Sequence, residues 1–422
     1  MVTELLKDKT ILLGVTGSIS AYKACEVVRL FIKAGAKVKV VMTQSATRFI
    51  SPLTFEALTR DKVLYEESES WATRLNHIEI GKDCDVFVIA PATANTINKL
   101  SKGIADNILT QTALAFNKPI LIAPSANTNM INNHLTKNSL KMLAVNDITI
   151  INSQNKLLAC GDEGEGGLAE PLEIFYQTAK ALLSEDFWRD RRVVVTGGGT
   201  REKIDDVRFI SNFSSGKMAN ALSLALYLRG ADVCLITTKE SKELPKDIYT
   251  IDVEDANEML EFTIDSIRIA KKGKMSKTSL NHLEAPHLIL KQPFLFMASA
   301  VADFTPSYPQ VGKLKKSDIG EKWSIEMKQT KDILASIDKN NLITVGFKAE
   351  MDINSGLNNA TNALLTKNID AICYNHLEDS QSFGTSTNEV IFITKDKQIK
   401  FNRADKLEIA FNILNESRQI IK

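Results

Sequence analysis

Between residues 193 and 218 the chain reads VVVTGGGTREKIDDVRFISNFSSGKM. A β-branched apolar run, the composition of a buried strand, ends on Gly197, Gly198 and Gly199. There the backbone can turn sharply and offer its N–H groups to an anion. Arg201, Glu202, Asp205, Asp206, Arg208 and Asn212 follow, and Ser214, Ser215, Gly216 and Lys217 open a helical segment over 218–228. A helix N-terminus carrying Gly216 and Lys217 suits a phosphate. It is not a P-loop, because Ser211 stands at the first Walker glycine and Met218 follows the lysine. Residues 299–318, SAVADFTPSYPQVGKLKKSD, join a strand end to Lys313, Lys315 and Lys316. Lysines on a loop are usually just solvated. Beside Asp303 at a sheet's carboxyl edge they make a lid suited to nucleotide phosphates and an associated magnesium ion.

A second set of candidates lies in the first half. Four strand ends run into small polar residues: GSIS, TQSA, ATANT and PSAN. In an open parallel sheet the carboxyl ends of the strands collect the ligand. The pattern GVTGSIS is not GxGxxG, since Ser20 stands at the third glycine. That disfavours a nicotinamide dinucleotide and fits a mononucleotide such as FMN. By spacing alone GSIS reads equally as a capped helix start; the four ends together shift the balance towards a ligand. Cys160 sits in LLACGDEGEGGLAEP among Gly161, Gly164, Gly166 and Gly167. That composition points to a mobile flap with an accessible thiol able to give up a proton, and the functional and inert readings balance. His77, in RLNHIEIGKDCDVFVIAP, is more often a surface or core residue than a base in such a place. Asn127, in PSANTNM, reads first as a turn residue.

The elements that must position these residues read as βαβ units. Residues 10–16 form a strand, followed by a helix with Val27, Val28, Phe31 and Ile32 on its apolar face and ended by Gly35. Strands at 37–43, 86–90 and 119–123 continue a parallel sheet, and a helix over 172–183 closes it. SEDFWRDRR, residues 184–192, reads as a charged linker. A second series runs through 193–196, 232–238, 294–300, 342–347, 371–375 and 390–394, six strands in all. Residues 267–292 read poorly as regular structure, and KKGKMSKTSLNHLEAPH as a solvated surface excursion. The fold class is therefore α/β, with two doubly wound, Rossmann-like domains over 1–183 and 193–422. A chain of 422 residues is too long for one ordinary core, which agrees with two.

Bulk properties exclude whole classes. Hydrophobic residues at 44% and charged residues at 24% are those of a soluble globular protein. The 52 basic residues against 51 acidic ones leave no global field to favour nucleic acid or an anionic membrane. Cys25, Cys84, Cys160, Cys234 and Cys373 are scattered with no CxxC pair, which points to reduced thiols. MVTELLKDKTILLGV lacks the core of a signal peptide, and no apolar run approaches the ~20 residues that cross a bilayer. The expected compartment is the cytoplasm.

The first half resembles the homo-oligomeric flavin-containing cysteine decarboxylases, most closely the N-terminal half of bacterial bifunctional phosphopantothenoylcysteine decarboxylase/phosphopantothenate–cysteine ligases. The resemblance is carried by GVTGSISAYK, the His77 segment, APATANTINKLSKGIADN, PSANTNM and LLACGDEGEGGLAEP, in the family's order. It implies that a flavin oxidises the cysteine moiety of the substrate to a thioaldehyde, that carbon dioxide then leaves, and that the electrons return to the enethiol. His77 matches the catalytic base, Asn127 the ligand of the substrate carboxylate and Cys160 the flap cysteine that protonates the intermediate. FMN contacts carry over to Gly17, Ser18, Ile19, Thr43, Ser45, Thr93, Ala94, Asn95, Thr96 and Ser125. The loop departs from the family's PxMNxxMW, with Ala126 for methionine and Ile131 for tryptophan.

The second half is similar to the ligase unit of the same enzymes. TGGGTREKIDDVRFISNFSSGKM, SAVADFTP, KLKK, VGFKAE, KNIDAICYN and FGTSTNEV carry that likeness. It implies that the carboxylate of 4′-phosphopantothenate attacks the α-phosphate of CTP, giving an acyl-cytidylate that the amine of cysteine opens. Asn212 matches the residue that holds the acyl-cytidylate, and Lys313 with Mg²⁺ supplies positive charge. Nucleotide contacts carry over to Met297, Ala298, Ser299, Asp303, Lys313, Lys331, Asp332, Ile333, Leu334, Phe347 and Lys367, with Asp303 the metal ligand. Ala363 replaces a family lysine four residues before Lys367, which leaves two readings open, one phosphate contact fewer or compensation by Lys348. The resemblance also implies a homo-oligomer built from trimers and dimers, a dodecamer. Two other readings stay open: a CTP-dependent ligase with an inactive flavin domain, suggested by Ala126 and Ile131, and a non-catalytic flavoprotein regulator. Retained His77, Asn127 and Cys160 speak against the last.

Overall fold

Strands that are apolar on both faces need helices on both faces of their sheet, and the seven residues of VFVIAPA, Val86–Ala92, are all buried. The structure is a computed structural model that describes residues 4–157, 163–239, 241, 243–281, 285–315, 319–376 and 384–421. The chain divides into two compact units, Met1–Leu183 with Ser276–His287, and Ser184–Met275 with Leu288–Lys422.

In the first unit β1 (Thr10–Val15), β2 (Lys37–Met42), β3 (Val86–Ala92), β4 (Ile120–Pro124) and β5 (Thr149–Ile150) lie in the order β2-β1-β3-β4-β5. All four pairings are parallel. The chain order therefore reverses direction between β1 and β3, and in such sheets the crevice outside those strand ends is where ligands bind. Leu12, Phe87, Ile89 and Ile122 are wholly buried in the core beside the sheet; burying each such side chain contributes about 1.5–3 kcal/mol. Helix Ala21–Lys33 buries Val27, Val28 and Phe31, and Phe31 meets Phe175 of helix Pro171–Leu183 at 5.9 Å. The fifth strand, absent from the sequence-based expectation, is two residues long. The glycine-rich stretch expected as a flap contributes an antiparallel hairpin of β6 (Gln154–Leu157) and β7 (Glu163–Gly167).

The second unit opens with β8 (Arg192–Gly197), the hairpin β9 (Arg201–Lys203) and β10 (Phe209–Ser211), then β11 (Asp232–Thr237) and β12 (Tyr249–Asp252). Short pairs follow, β13 (Lys274–Met275) with β14 (Leu288–Ile289), around the excursion expected as a loop. Then come β15 (Phe294–Met297), the pair β16 (Phe304–Pro306) and β17 (Met327–Gln329), β18 (Ile343–Glu350), β19 (Ala371–His376), β20 (Thr387–Thr394) and β21 (Gln398–Asp405). The main sheet runs β12-β11-β8-β15-β18-β19-β20-β21. Its first six strands are parallel, and β20 and β21 close it as an antiparallel hairpin. Here the reversal falls between β8 and β15. The two strands missing from the expected six are edge strands with exposed polar positions, β12 reading YTID and β21 QIKFNRAD. No helix among the described residues is long and apolar enough to cross a membrane.

One local expectation is corrected. The charged stretch at 184–192 is packed rather than free. Trp188 is fully buried, 4.8 Å from the Phe187 ring and 5.0 Å from that of Phe294. The Arg191 guanidinium lies 4.1 Å over Phe187 and donates to the Gln292 carbonyl at 2.5 Å; burial pushes its pKa down to about 10. Six charged residues in nine disguised one large aromatic anchor. Trp188→Ala is expected to destabilise by about 3–5 kcal/mol, read as a lowered urea midpoint. An unchanged midpoint would make the stretch a tether after all.

Candidate functional site

At the end of β1, Gly17 has room for a hydrogen and nothing more. A Cβ there would lie 2.5 Å from Ser45 Cβ. Thr16 Oγ1 donates to Pro91 O at 2.7 Å and accepts from the Thr93 N–H at 3.0 Å, so the ends of β1 and β3 are tied together at the reversal. Ser125, beyond β4, meets Ser18 Oγ at 3.1 Å and Ser20 Oγ at 3.0 Å. Thr43 and Thr93 cap the helices Gln44–Thr47 and Ala94–Leu100, accepting from the N–H groups of Ala46 and Thr96 at 3.3 Å each. Helix Ala21–Lys33 starts at Ser20 with no acidic residue in its first turn, which leaves the positive end of its dipole uncancelled for an anion. Ala94 and Thr96 are buried, whereas Ile19 and Asn95 are exposed beside them. Hydroxyls, a glycine gap and a bare helix N-terminus fit a flavin mononucleotide's phosphate. Thr16 and Ser20 escaped the sequence-based set; both lie inside GVTGSIS, Thr16 as the last residue of the expected strand and Ser20 in the place of a third glycine.

Asn127 caps helix Thr128–Asn132, accepting from the Asn129 N–H at 2.9 Å. The neighbouring Ala126 N–H donates to Gly166 O at 3.0 Å, so β7 lies directly on the loop that carries Asn127. Cys160 lies outside the described residues. Ile131 is buried. His77 belongs to another segment, where its Nδ1 is 2.8 Å from Glu69 Oε1 and its ring meets Trp71 edge-on at 5.8 Å. A carboxylate on one imidazole nitrogen sets the orientation of the other. Glu69 was missed because its partnership depends on the turn closed by the Ser70 and Leu75 backbone bonds, which no pattern in EESESWATRLNH announces.

The second unit holds a cavity of about 900 Å³ outside the ends of β8 and β15, a size that suits a small ligand. Met297, Ala298, Ser299, Asp303, Lys331, Asp332, Ile333, Leu334, Phe347 and Lys367 all line it, and so does Asn212. Lys313 does not. Five lysines, Lys217, Lys331, Lys348, Lys367 and Lys406, face two aspartates, Asp303 and Asp332, an excess of positive charge that favours an anion. Thr196 Oγ1 and Ser299 Oγ are 2.9 Å apart, and Asn212 Nδ2 donates to Val301 O at 3.1 Å, which draws the 212–218 turn against the end of β15. Lys217 donates to Gly384 O at 2.5 Å, and Lys406 to the carbonyls of Thr385 and Thr387. Burial, then the charge of Lys217, pushes the Lys406 pKa down. Lys406 and Asn388 are cavity residues that sequence reading did not find, being about 170 residues or more from Lys217.

At the opposite end Lys367 pairs with Asp332 at 2.8 Å, and Lys348 with Glu350 at 3.1 Å. Asp332 also caps helix Ile333–Ser336 through the Ala335 N–H at 3.0 Å. Burial pushes its carboxyl up, but the Lys367 hydrogen bond and charge and the backbone donors outweigh it, so the pKa sits below its ordinary 3.8. Among the described residues no group of three or more histidine, cysteine, aspartate or glutamate side chains gathers to hold a metal. Asp303 alone suits an ion of the magnesium kind, which is held by one or two carboxylates plus substrate phosphates.

Two family models match the chain. Residues 2–183 match the Flavoprotein family model, and residues 188–276 and 263–420 match that of the DNA/pantothenate metabolism flavoprotein C-terminal domain. The coenzyme A biosynthesis bifunctional protein CoaBC of Bacillus subtilis is 37% identical over 99% of this chain and 98% of its own length. The protein of that name from Haemophilus influenzae is 34% identical over 97% of each. A crystal structure of the C-terminal domain of such a protein is 28% identical, covers 56% of this chain and 98% of its own, and has a TM-score of 0.43.

Gly17→Ala is expected to weaken flavin retention through the Ser45 clash, an overpacking cost of about 1–3 kcal/mol and so about tenfold in affinity. Full flavin occupancy by absorbance would remove Gly17 from the cofactor site. For Asp332 the linkage sign is fixed by its depressed pKa: the pairing stabilises the fold above 3.8 and the contribution is lost as pH falls through the folded-state value. Lys367→Met should therefore move the Asp332 titration up towards 3.8, followed by carboxyl-carbon NMR. A titration that stays where it was would show that Lys367 is not its main partner.

Proposed function

The chain belongs to the family of coenzyme A biosynthesis bifunctional proteins, and from that membership we propose that it is a bifunctional enzyme, a CTP-dependent phosphopantothenate–cysteine ligase joined to an FMN-dependent phosphopantothenoylcysteine decarboxylase. Residues 1–183 carry the decarboxylase and residues 193–422 the ligase, with 184–192 between them. The observation that carries the reading is the lysine-rich cavity at the sheet reversal of the second unit, on the same chain as a glycine-and-hydroxyl cradle at the reversal of the first.

In the ligase step a carboxylate must attack a phosphate, so two anions meet. The lysines of the cavity lower that repulsion, and Asp303 with the triphosphate would hold a Mg²⁺ ion that adds further positive charge. Attack by the carboxylate oxygen of 4′-phosphopantothenate on the α-phosphorus of CTP expels pyrophosphate. The amine of cysteine then attacks the acyl carbon, loses a proton and expels CMP. Asn212, drawn to the cavity edge by Val301, donates its amide to the oxyanion that develops at the acyl carbon. Lys313 supplies a further charge from its loop.

In the decarboxylase step a flavin held at the Gly17 cradle would supply a reversible two-electron acceptor for the cysteine moiety, so that the net change is loss of carbon dioxide. His77, held by Glu69, is the base, with Nε2 left to face the substrate. Asn127 pairs with the departing carboxylate, and Cys160 delivers the proton to the intermediate. Assembly through trimers and dimers belongs to the same proposal.

Purified protein with 4′-phosphopantothenate, cysteine, CTP and Mg²⁺ is expected to form 4′-phosphopantetheine, carbon dioxide, CMP and pyrophosphate, and to be yellow. Asn212→Ala should slow ligation about a hundredfold, the cost of one lost oxyanion donor, while decarboxylation of supplied 4′-phosphopantothenoylcysteine continues. Ligation by a colourless protein with no carbon dioxide released would leave only the ligase half standing.

A further inference from the structure

Lys313 stands between two anchored neighbours. On one side the Gly312 N–H donates to Asp206 Oδ2 at 2.5 Å, and Gly312 O accepts from the Asp206 N–H at 3.2 Å. On the other, the Leu314 N–H donates to Asp205 Oδ2 at 3.2 Å, and Leu314 O accepts from Arg208 Nη2 at 2.7 Å. Upstream the Gln310 N–H donates to Ile204 O at 2.9 Å. Every partner lies on the turn that joins β9 to β10, which begins just past the glycines ending β8.

That turn is itself rigid. The Asp205 side chain is fully buried, and its Oδ1 accepts from the N–H groups of Val207 and Arg208 at 2.8 Å each. Asp206 is steadied by Lys203 at 2.6 Å. The main chain on both sides of Lys313 is thus fixed to the body of the second unit, while Lys313 itself is exposed. A long, freely rotating ammonium delivers little to a reaction unless its base is held, because a misplacement of ~1 Å costs about a hundredfold.

We propose that Asp205 and Asp206 are positioning residues of the ligase reaction, clamping the backbone on either side of Lys313 so that its ammonium reaches the nucleotide phosphates from one fixed root. This rests on the reading of Lys313 as a charge-supplying residue of that reaction. Asp206 is the sharper test, since it is half exposed and its loss leaves the core intact, whereas Asp205 is buried.

The measurement is CTP-dependent pyrophosphate release by the full chain with 4′-phosphopantothenate and Mg²⁺. Asp206→Ala is expected to lower kcat about tenfold with the KM for CTP little changed, a positioning loss smaller than the ~1 Å limit. Asp206→Asn, which keeps an acceptor oxygen, should retain most of the rate. Amide hydrogen exchange at Gly312 and Leu314 should rise in Asp206→Ala without a fall in Tm. In a Lys313→Ala background the same change should have no further effect, because the clamp then has nothing to position. An equal loss in both backgrounds, or exchange that does not rise, overturns the clamp. A wild-type rate for Lys313→Ala overturns instead the role of Lys313, and with it any reason for a clamp.

Discussion

Three consecutive glycines at the end of β8 set the spacing on which the second site depends. A Cβ at Gly197 would lie 2.5 Å from Ala219 Cβ, one at Gly198 2.2 Å from Thr238 Oγ1, and one at Gly199 2.7 Å from Asn212 O. Side chains cannot approach that closely, so the three positions admit hydrogen alone. Through them the helix Lys217–Leu228, the end of β11 and the Asn212 turn all close on one strand end. Gly198 also takes φ +79°, where a side chain would be strained. The backbone groups at this turn are paired rather than idle: Ala300 N–H donates to Gly198 O at 2.8 Å and Thr238 Oγ1 to Gly199 O at 2.8 Å. The close approach is thereby locked on both sides, and the Asn212 turn, the start of helix Lys217–Leu228 and the residues after β15, all of which line the cavity, are held against one strand end.

The same cavity separates two ways of holding a lysine. Lys367 and Lys348 are paired with carboxylates, Asp332 and Glu350, so their charges are largely cancelled where they stand. Lys217 and Lys406 donate to main-chain carbonyls, which satisfy the ammonium without cancelling it. An anion entering near the start of helix Lys217–Leu228 therefore meets uncompensated charge as well as the helix dipole. One entering beside Asp332 must first displace or join an ion pair. Burial and the nearby Lys217 depress the Lys406 pKa, and the charge of Asp405 offsets this only in part, the expected response of a half-buried cation placed beside another.

Strands built from β-branched residues with both faces buried were legible in the sequence, because such runs have few other stable environments. β5, β12 and β21 were not. Two residues carry no period, and edge strands such as YTID and QIKFNRAD read as polar loops until a neighbour pairs with them. Trp188 was hidden by the charges around it. Of the site residues, the glycines and capping hydroxyls could be read locally, since turn chemistry is a property of a few consecutive residues. Glu69, Asn388 and Lys406 could not: each matters through a contact that exists only after the chain has folded back. Most nucleotide-side residues became candidates through family resemblance, and their meeting in one cavity is a fact about the second sheet that no local pattern contains.

The two sheets reach similar chemistry by different strand orders, and this accounts for the absence of both standard glycine signatures. A dinucleotide fingerprint or a Walker loop places every phosphate donor in one short segment. A reversal in strand order does something else: it splays the connections after two adjacent strands to opposite sides, opening a crevice that several loops must line. In the first unit those loops follow β1, β2, β3 and β4, each contributing a serine or threonine and none contributing a full motif. In the second they follow β8 and β15, side chains of β18 and β19 add to them, and lysines at the starts of the helices Lys217–Leu228 and Lys406–Ser417 complete the wall. When donors are distributed in this way, each loop needs only one glycine gap or one cap, and the constraint on any single stretch is weak. The constraint on the assembled edge is strong, because a displaced loop removes one donor and lets water replace it. Recognition is then a property of the strand order, with the residues at each strand end supplying its details.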